Sequence, residues 1–206
     1  MKFRLVAALL GLATTATAQY NQTGPFFLHI TGSEGSSIDG YAFACHTGAA
    51  LEGLCYGASA VPSAGDLSSE FYFNYTDYTQ VDGNYVGILA WNLHATGEND
   101  TEIVVSEGMG LTYQVNSNVA APQFGFSSTM NIGFDKDNNM FGYSYIDDST
   151  FVAGQQPTSS EGKAYYQWFV CWQYFTGYYY QSVGWTTGGE PHNPTCEAVT
   201  IIKVDE

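Results

Sequence analysis

The stretch WFVCWQYFTGYYYQSVGW, residues 168–185, constrains the fold of this chain more than any other: eighteen positions hold three Trp, four Tyr, two Phe and one Cys, and no charged side chain. Two runs rich in large residues flank Thr176-Gly177, a pair short enough for a two-residue loop, so the segment predicts a β-hairpin. Successive side chains of a strand point to opposite sides. Tyr166, Trp168, Val170, Trp172 and Tyr174 therefore share one face, and Tyr165, Gln167, Phe169, Cys171, Gln173 and Phe175 the other. Beyond the turn, Tyr179, Gln181, Val183 and Trp185 alternate with Tyr178, Tyr180, Ser182 and Gly184. Burying such rings contributes about 25 cal/mol per Å² of apolar area. The face bearing Trp168 and Trp172 is expected in the core. The face bearing Tyr178 and Tyr180 beside Gln167 and Gln173 combines flat rings with amides, which suits a sugar-stacking platform and equally an ordinary solvated sheet.

The same pattern of short alternating runs, broken by Gly, Asn, Asp and Ser, extends along the chain, and helical periodicity is nearly absent. Strands are expected over 26–31, 41–45, 70–75, 85–93, 101–106, 111–116, 124–134, 140–146, 165–175, 178–185 and 196–204. Asp135-Lys136-Asp137-Asn138-Asn139 reads as a second hairpin turn, and His46 to Leu54 as a helical turn. Eleven short strands imply an all-β fold, a two-sheet antiparallel sandwich of jelly-roll-like kind with two disulfides.

The N-terminus has its own logic. Lys2 and Arg4 precede the apolar run Leu5 to Ala13 and then Ala16-Thr17-Ala18, the pattern of a secretory signal peptide over 1–18, leaving 19–206 as one domain. The apolar run is well short of the roughly 20 residues that span a bilayer. Without the leader the chain keeps three Lys, no Arg and all twenty acids, so its net charge falls from −15 to −17. Nucleic-acid phosphates and anionic lipids bind through Lys and Arg, so neither nucleic acid nor membrane is an expected partner. Four Cys fit an oxidising compartment. Of three connectivities, Cys45 with Cys55 and Cys171 with Cys196 is favoured because each joins neighbours in sequence. Asn21, Asn74 and Asn99 open N-x-Thr glycosylation sequons, expected to face solvent.

The segments from Gly24-Pro25-Phe26-Phe27-Leu28, through Cys45-His46-Thr47-Gly48-Ala49-Ala50-Leu51-Glu52-Gly53-Leu54-Cys55, to the terminal Asn193-Pro194-Thr195-Cys196 resemble a family of small secreted proteins of filamentous ascomycete fungi, described as a domain of unknown function. The resemblance spans most of the chain after the leader and implies a secreted fungal β-domain. It brings no catalytic residues.

Motifs that carry chemistry are sparse. Glycosidases set two carboxylates about 5 Å apart or roughly 6.5 to 9.5 Å apart in an aromatic cleft, and here Glu102 and Glu107 are the nearest approach to such a pair. No G-x-S-x-G elbow occurs. His29, His46, His94 and His192 lack metal-ligand spacing, and Gln19 as first mature residue excludes the terminal His of copper oxygenases. Asp135-x-Asp137-x-Asn139 opens like a calcium loop, but Met140 and Ile146 stand where an EF-hand needs Gly and Glu. No metal or cofactor is expected. The expected function is non-catalytic surface recognition outside the cell or at the cell wall, including an effector role toward a host extracellular protein. The alternatives are cell-wall polysaccharide binding through exposed Tyr and Trp, and a small glycoside hydrolase.

Overall fold

The computed structural model describes residues 20–58, 61–125, 128–157 and 161–206. The leader read at residues 1–18 lies outside them. Fourteen strands follow in chain order: β1 (Asn21–Gly32), β2 (Asp39–Gly48), β3 (Leu51–Gly57), β4 (Phe71–Val81), β5 (Asn84–Thr96), β6 (Glu102–Gly108), β7 (Gly110–Thr112), β8 (Val119–Phe124), β9 (Ile132–Phe134), β10 (Met140–Ser144), β11 (Lys163–Tyr165), β12 (Trp168–Phe175), β13 (Tyr178–Thr186) and β14 (Glu197–Asp205). The fold is all-β and antiparallel, with disulfides Cys45–Cys55 and Cys171–Cys196, as the sequence predicts. Among the described residues, no helix is long and apolar enough to cross a membrane.

Hydrogen bonding runs unbroken through the layers. β1 carries β14 along one edge, and along the other β4 at Asn21–Phe26 and then β2 at His29–Thr31. The sheet forks there. One branch closes a ring of pairings, β1 to β14, β12, β13, β3, β2 and back to β1. The other extends through β4 and β5 to β9, β10 and β11, with β6 along β5. A sheet curled in this way faces itself, and rings from strands distant in hydrogen-bond order meet across the middle. Phe71 stacks on Phe124 at 6.0 Å, Trp91 lies 6.2 Å from Phe124, and Trp168 stands edge-on to Trp185 at 4.6 Å. Leu28, Ile30, Leu54, Leu89, Ile132, Val170, Val183 and Ile201 fill the space between them and are fully buried.

Both turns predicted from Asx and Gly chemistry are present. Thr176 and Gly177 take positive φ (48° and 100°), the two-residue turn whose twist matches that of the strands. Asp135 closes the β9–β10 hairpin by accepting the amides of Asp137 and Asn139, each at 2.9 Å. His46 to Leu54 is not a helical turn. It is the tip of the β2–β3 hairpin, reversed at Ala50 with φ 50°. Its strand β3 lies between β2 and the β13–β8 side and is covered throughout, so no alternation betrays it. The strand expected over 124–134 is two, β8 and β9, and β7 stops at Thr112.

Gly133 marks a close approach of β9 to its neighbours. A Cβ there would lie 2.3 Å from Phe141 Cζ and 2.6 Å from the Tyr85 carbonyl oxygen, and Phe141 is buried. Gly133→Ala should therefore destabilise the protein by about 1–3 kcal/mol, read as a lower urea midpoint with unchanged slope.

Candidate functional site

The aromatic hairpin divides differently from the sequence expectation. Trp168 and Val170 are buried as expected, but Trp172 is 43% exposed and Tyr174 70%, with Tyr179 beside them at 59%. The reason is geometric: β12 and β13 outrun the layer they pack against, so the face that starts in the core ends in solvent. There Trp172 and Tyr179 stack at 5.2 Å. Of the platform expected on the other face, Tyr178 and Tyr180 stack at 5.9 Å and are half-buried, with the His46 ring edge-on to Tyr178. Gln173 is paired with Tyr180 in register, and its amide donates to the Val183 carbonyl at 3.0 Å. Gln167 precedes β12 at the opposite end of the hairpin, roughly 25 Å along the strand from Tyr178. Tyr178, Tyr180 and Gln173 come together near the tip; Gln167 does not join them.

Two adjoining clefts open elsewhere, where β10 passes β9, β5 and β13. The first, about 360 Å³, is walled by Leu111, Tyr113, Ser128 to Asn131, Gly142 to Ser144, Tyr165 and Trp185. The second, about 510 Å³, is walled by Tyr20, Asn74 to Thr76, Thr79, Val86 to Ile88, Asn131, Tyr143 and Tyr145. They share Asn131 and Tyr143, whose amide N–H donates to the Asn131 carbonyl at 2.9 Å. Glycines shape both walls. Trp185 lies so close over Gly142 that a Cβ would meet its ring at 2.5 Å, and the Tyr143 ring lies against Gly162, where a Cβ would meet it at 2.2 Å. Tyr75 is braced from both sides, by Phe73 at 5.2 Å and Tyr85 at 4.7 Å. Among the described residues, every one that lines the two clefts is uncharged, in a chain with twenty acids. Rings, hydroxyls and amides converge, and no carboxylate does.

The acids that reading for catalysis singles out are not in the clefts. Glu102 and Glu107 stand five apart on β6 and so turn opposite ways. Glu102 is exposed and bonded to His94 Nδ1 at 2.8 Å, while Glu107 points inward to Glu52 of β3. Burial, and then the charge and hydrogen bond of Glu52, push the Glu107 carboxyl up to about 7. Burial likewise raises Glu52, against a lowering from its hydrogen bond with Glu107. Reading 46–54 as a helical turn hides the strand that brings Glu52 to this position.

The remaining candidates are held by local bonds. Asp135 Oδ1 serves two backbone amides, and Oδ2 accepts from the Asn139 amide group at 3.1 Å and the Tyr166 hydroxyl at 3.0 Å. Burial would raise this carboxyl, but these bonds hold it below its ordinary value; burial and then Asp135 push Tyr166 up to about 12. His29 is bonded to Asp39 at 2.7 Å, and His192 is exposed. Among the described residues, no three His, Cys, Asp or Glu side chains are grouped to hold a metal. Asn21 and Asn99 face solvent, whereas Asn74 is half-buried on the wall of the second cleft, its Oδ1 accepting from Gln22 at 2.7 Å.

Neither the curated proteins nor the solved structures compared with the chain match it. A family model does, over residues 23–205, which takes in every described strand from the first bulge of β1 to the end of β14, both disulfides and both clefts but for Tyr20. The chain belongs to the family described as a domain of unknown function, DUF7907.

Proposed function

We propose that this is a secreted, non-catalytic recognition protein of a fungus, acting at the cell surface or cell wall, and that its ligand is a neutral polysaccharide. One observation carries the reading: two adjoining clefts whose described lining consists of rings, hydroxyls, amides and aliphatic groups without a charged side chain, on a strongly acidic protein. The C–H faces of a sugar ring lie flat on Tyr and Trp, and its hydroxyls exchange hydrogen bonds with amides and hydroxyls. A charged ligand would find nothing there to compensate it. The disulfides and the leader sequence support a compartment outside the cell.

Incubation of the oxidised protein with insoluble chitin, β-glucan and cellulose tests this. Retention on at least one is expected, and it should survive roughly 1 M salt because no ion pair is involved. Tyr143→Ala removes the ring common to both clefts and should weaken retention about tenfold, a loss of about 1.4 kcal/mol, with an unchanged circular dichroism spectrum. Failure to bind any of the three polymers overturns the proposal. The exposed stack of Trp172 and Tyr179 favours a second reading, in which the hairpin tip holds the polymer. Trp172→Ala would then abolish retention while Tyr143→Ala leaves it intact.

A further inference from the structure

Glu52 and Glu107 belong to neither cleft, and their surroundings are unusual for acids. Glu52 is 7% exposed, and each residue has an Oε2 buried from solvent with no hydrogen-bond donor among the described residues. The strands that carry them share no backbone pairing: β6 is bonded to β5 alone, whereas β3 belongs to the closed ring of strands. Through Met109, however, β6 runs on into β7, which pairs with β8, and β8 pairs with β3, so the two carboxyls come together around the end of β8. Trp91, opposite Glu107 in register, lies 6.2 Å from Phe124, opposite Glu52, so both acids sit beside one aromatic contact.

Two ionised carboxylates are both acceptors and cannot bond to one another; with one proton between them, one donates and the other accepts. Neighbouring groups offer no other remedy. His46, opposite Glu52 on β2, is exposed and lies edge-on to Tyr178. His94 and Glu102 bond to each other at the far end of β5 and β6, and Glu70, beside Phe71 on β4, accepts the Gly65 amide. Among the described residues, the charge that acts on Glu107 is that of Glu52, and Glu52 is bonded to Glu107.

We propose that Glu52 and Glu107 form an acid-held latch: a proton shared by their carboxyls clamps the edge strand β6 to β3 in acidic surroundings, and its loss releases β6. With both Oε2 atoms closed to solvent, the pair is placed to act on the fold. Met109 to Leu111 follow directly. Met109 accepts the amide of Met130, and Leu111 and Met130 both wall the first cleft, so the latch also sets the firmness of that wall.

The direction with pH follows from the raised carboxyls. Below the ordinary Glu value of 4.5, both folded and unfolded chains are protonated and the latch contributes fully. Between 4.5 and about 7 the unfolded chain has released a proton that the folded chain retains, so stability declines as pH rises, and above about 7 the contribution is gone. The many surface acids add their own decline, which a variant must subtract. Thermal melts of the intact disulfide-bonded protein should show the melting temperature falling from pH 4.5 to 7 by several degrees more than that of Glu52→Gln/Glu107→Gln, in which amides replace the titrating pair. Equal slopes for the two proteins overturn the latch. Should the double variant fail to fold, carboxyl carbon NMR of the unsubstituted protein decides alone. A Glu107 midpoint near 7 supports the latch, and one near 4.5 overturns it.

Discussion

Trp168→Ala should lower the melting temperature by about 10 °C, whereas Trp172→Ala, four residues along the same strand and on the same face, should move it by no more than about 2 °C. The difference is burial. Trp168 is 1% exposed, packs edge-on to Trp185 at 4.6 Å and donates Nε1–H to the Met140 carbonyl at 2.8 Å. Its truncation leaves a cavity between β12, β13 and β10 and an unpaired buried carbonyl. Together these cost about 4–5 kcal/mol, a large share of the ~5–15 kcal/mol that stabilises a domain. For a chain of this length each kcal/mol is worth about 2–4 °C. Trp172, 43% exposed and stacked on Tyr179, leaves a gap open to solvent in place of a buried cavity. Equal losses for the two variants would show that the exposed end of the hairpin is covered after all.

Removing the Cys171–Cys196 bridge should cost about 3–4 kcal/mol, more than the roughly 2.5–3 kcal/mol expected for Cys45–Cys55. The first closes a separation of 25 residues and the second of 10, and the entropy of loop closure grows with that length. Local structure points the same way. Cys45 and Cys55 join strands already held by the long β2–β3 ladder, so their loss leaves the hairpin paired. Cys171 and Cys196 secure β12 to the chain entering β14, where pairing amounts to Phe169 with Ala198 and Val170 with Glu197. Urea unfolding of the two Cys-to-Ala double variants measures both losses in one assay, and the reverse order would refute the loop-closure account.

Much of the architecture was legible in local patterns. Alternation marked β1, β2, β4, β5, β6 and β10, and Thr176-Gly177 and Asp135 to Asn139 named their own turns because positive φ and Asx hydrogen bonds are properties of those residues. The disulfide pairing followed from proximity along the chain. The strand β3 escaped notice because a strand covered on both faces has no alternation to show, and with it went Glu52. The span 124–134 read as one strand because its residues suit strands, yet hydrogen bonding divides it between β8 and β9.

The candidate site was far less legible, for a physical reason. Alternation states that two faces of a strand differ; it cannot state which one another layer will cover, nor where along the strand that cover ends. The Trp168–Trp172 face is therefore core at one end and solvent at the other. The clefts gather Tyr75, Asn131, Tyr143 and Trp185 from β4, the β8–β9 connection, β10 and β13, and the carboxyl pair joins residues 52 and 107 across unpaired strands. By itself the sequence determined an all-β antiparallel chain, two of its hairpin turns, its two disulfides and its acidity, since each depends on residues close along the chain or on composition. Only the tertiary structure decided which rings face solvent, which walls stay uncharged and which two acids come together, because those follow from how a curled sheet meets itself.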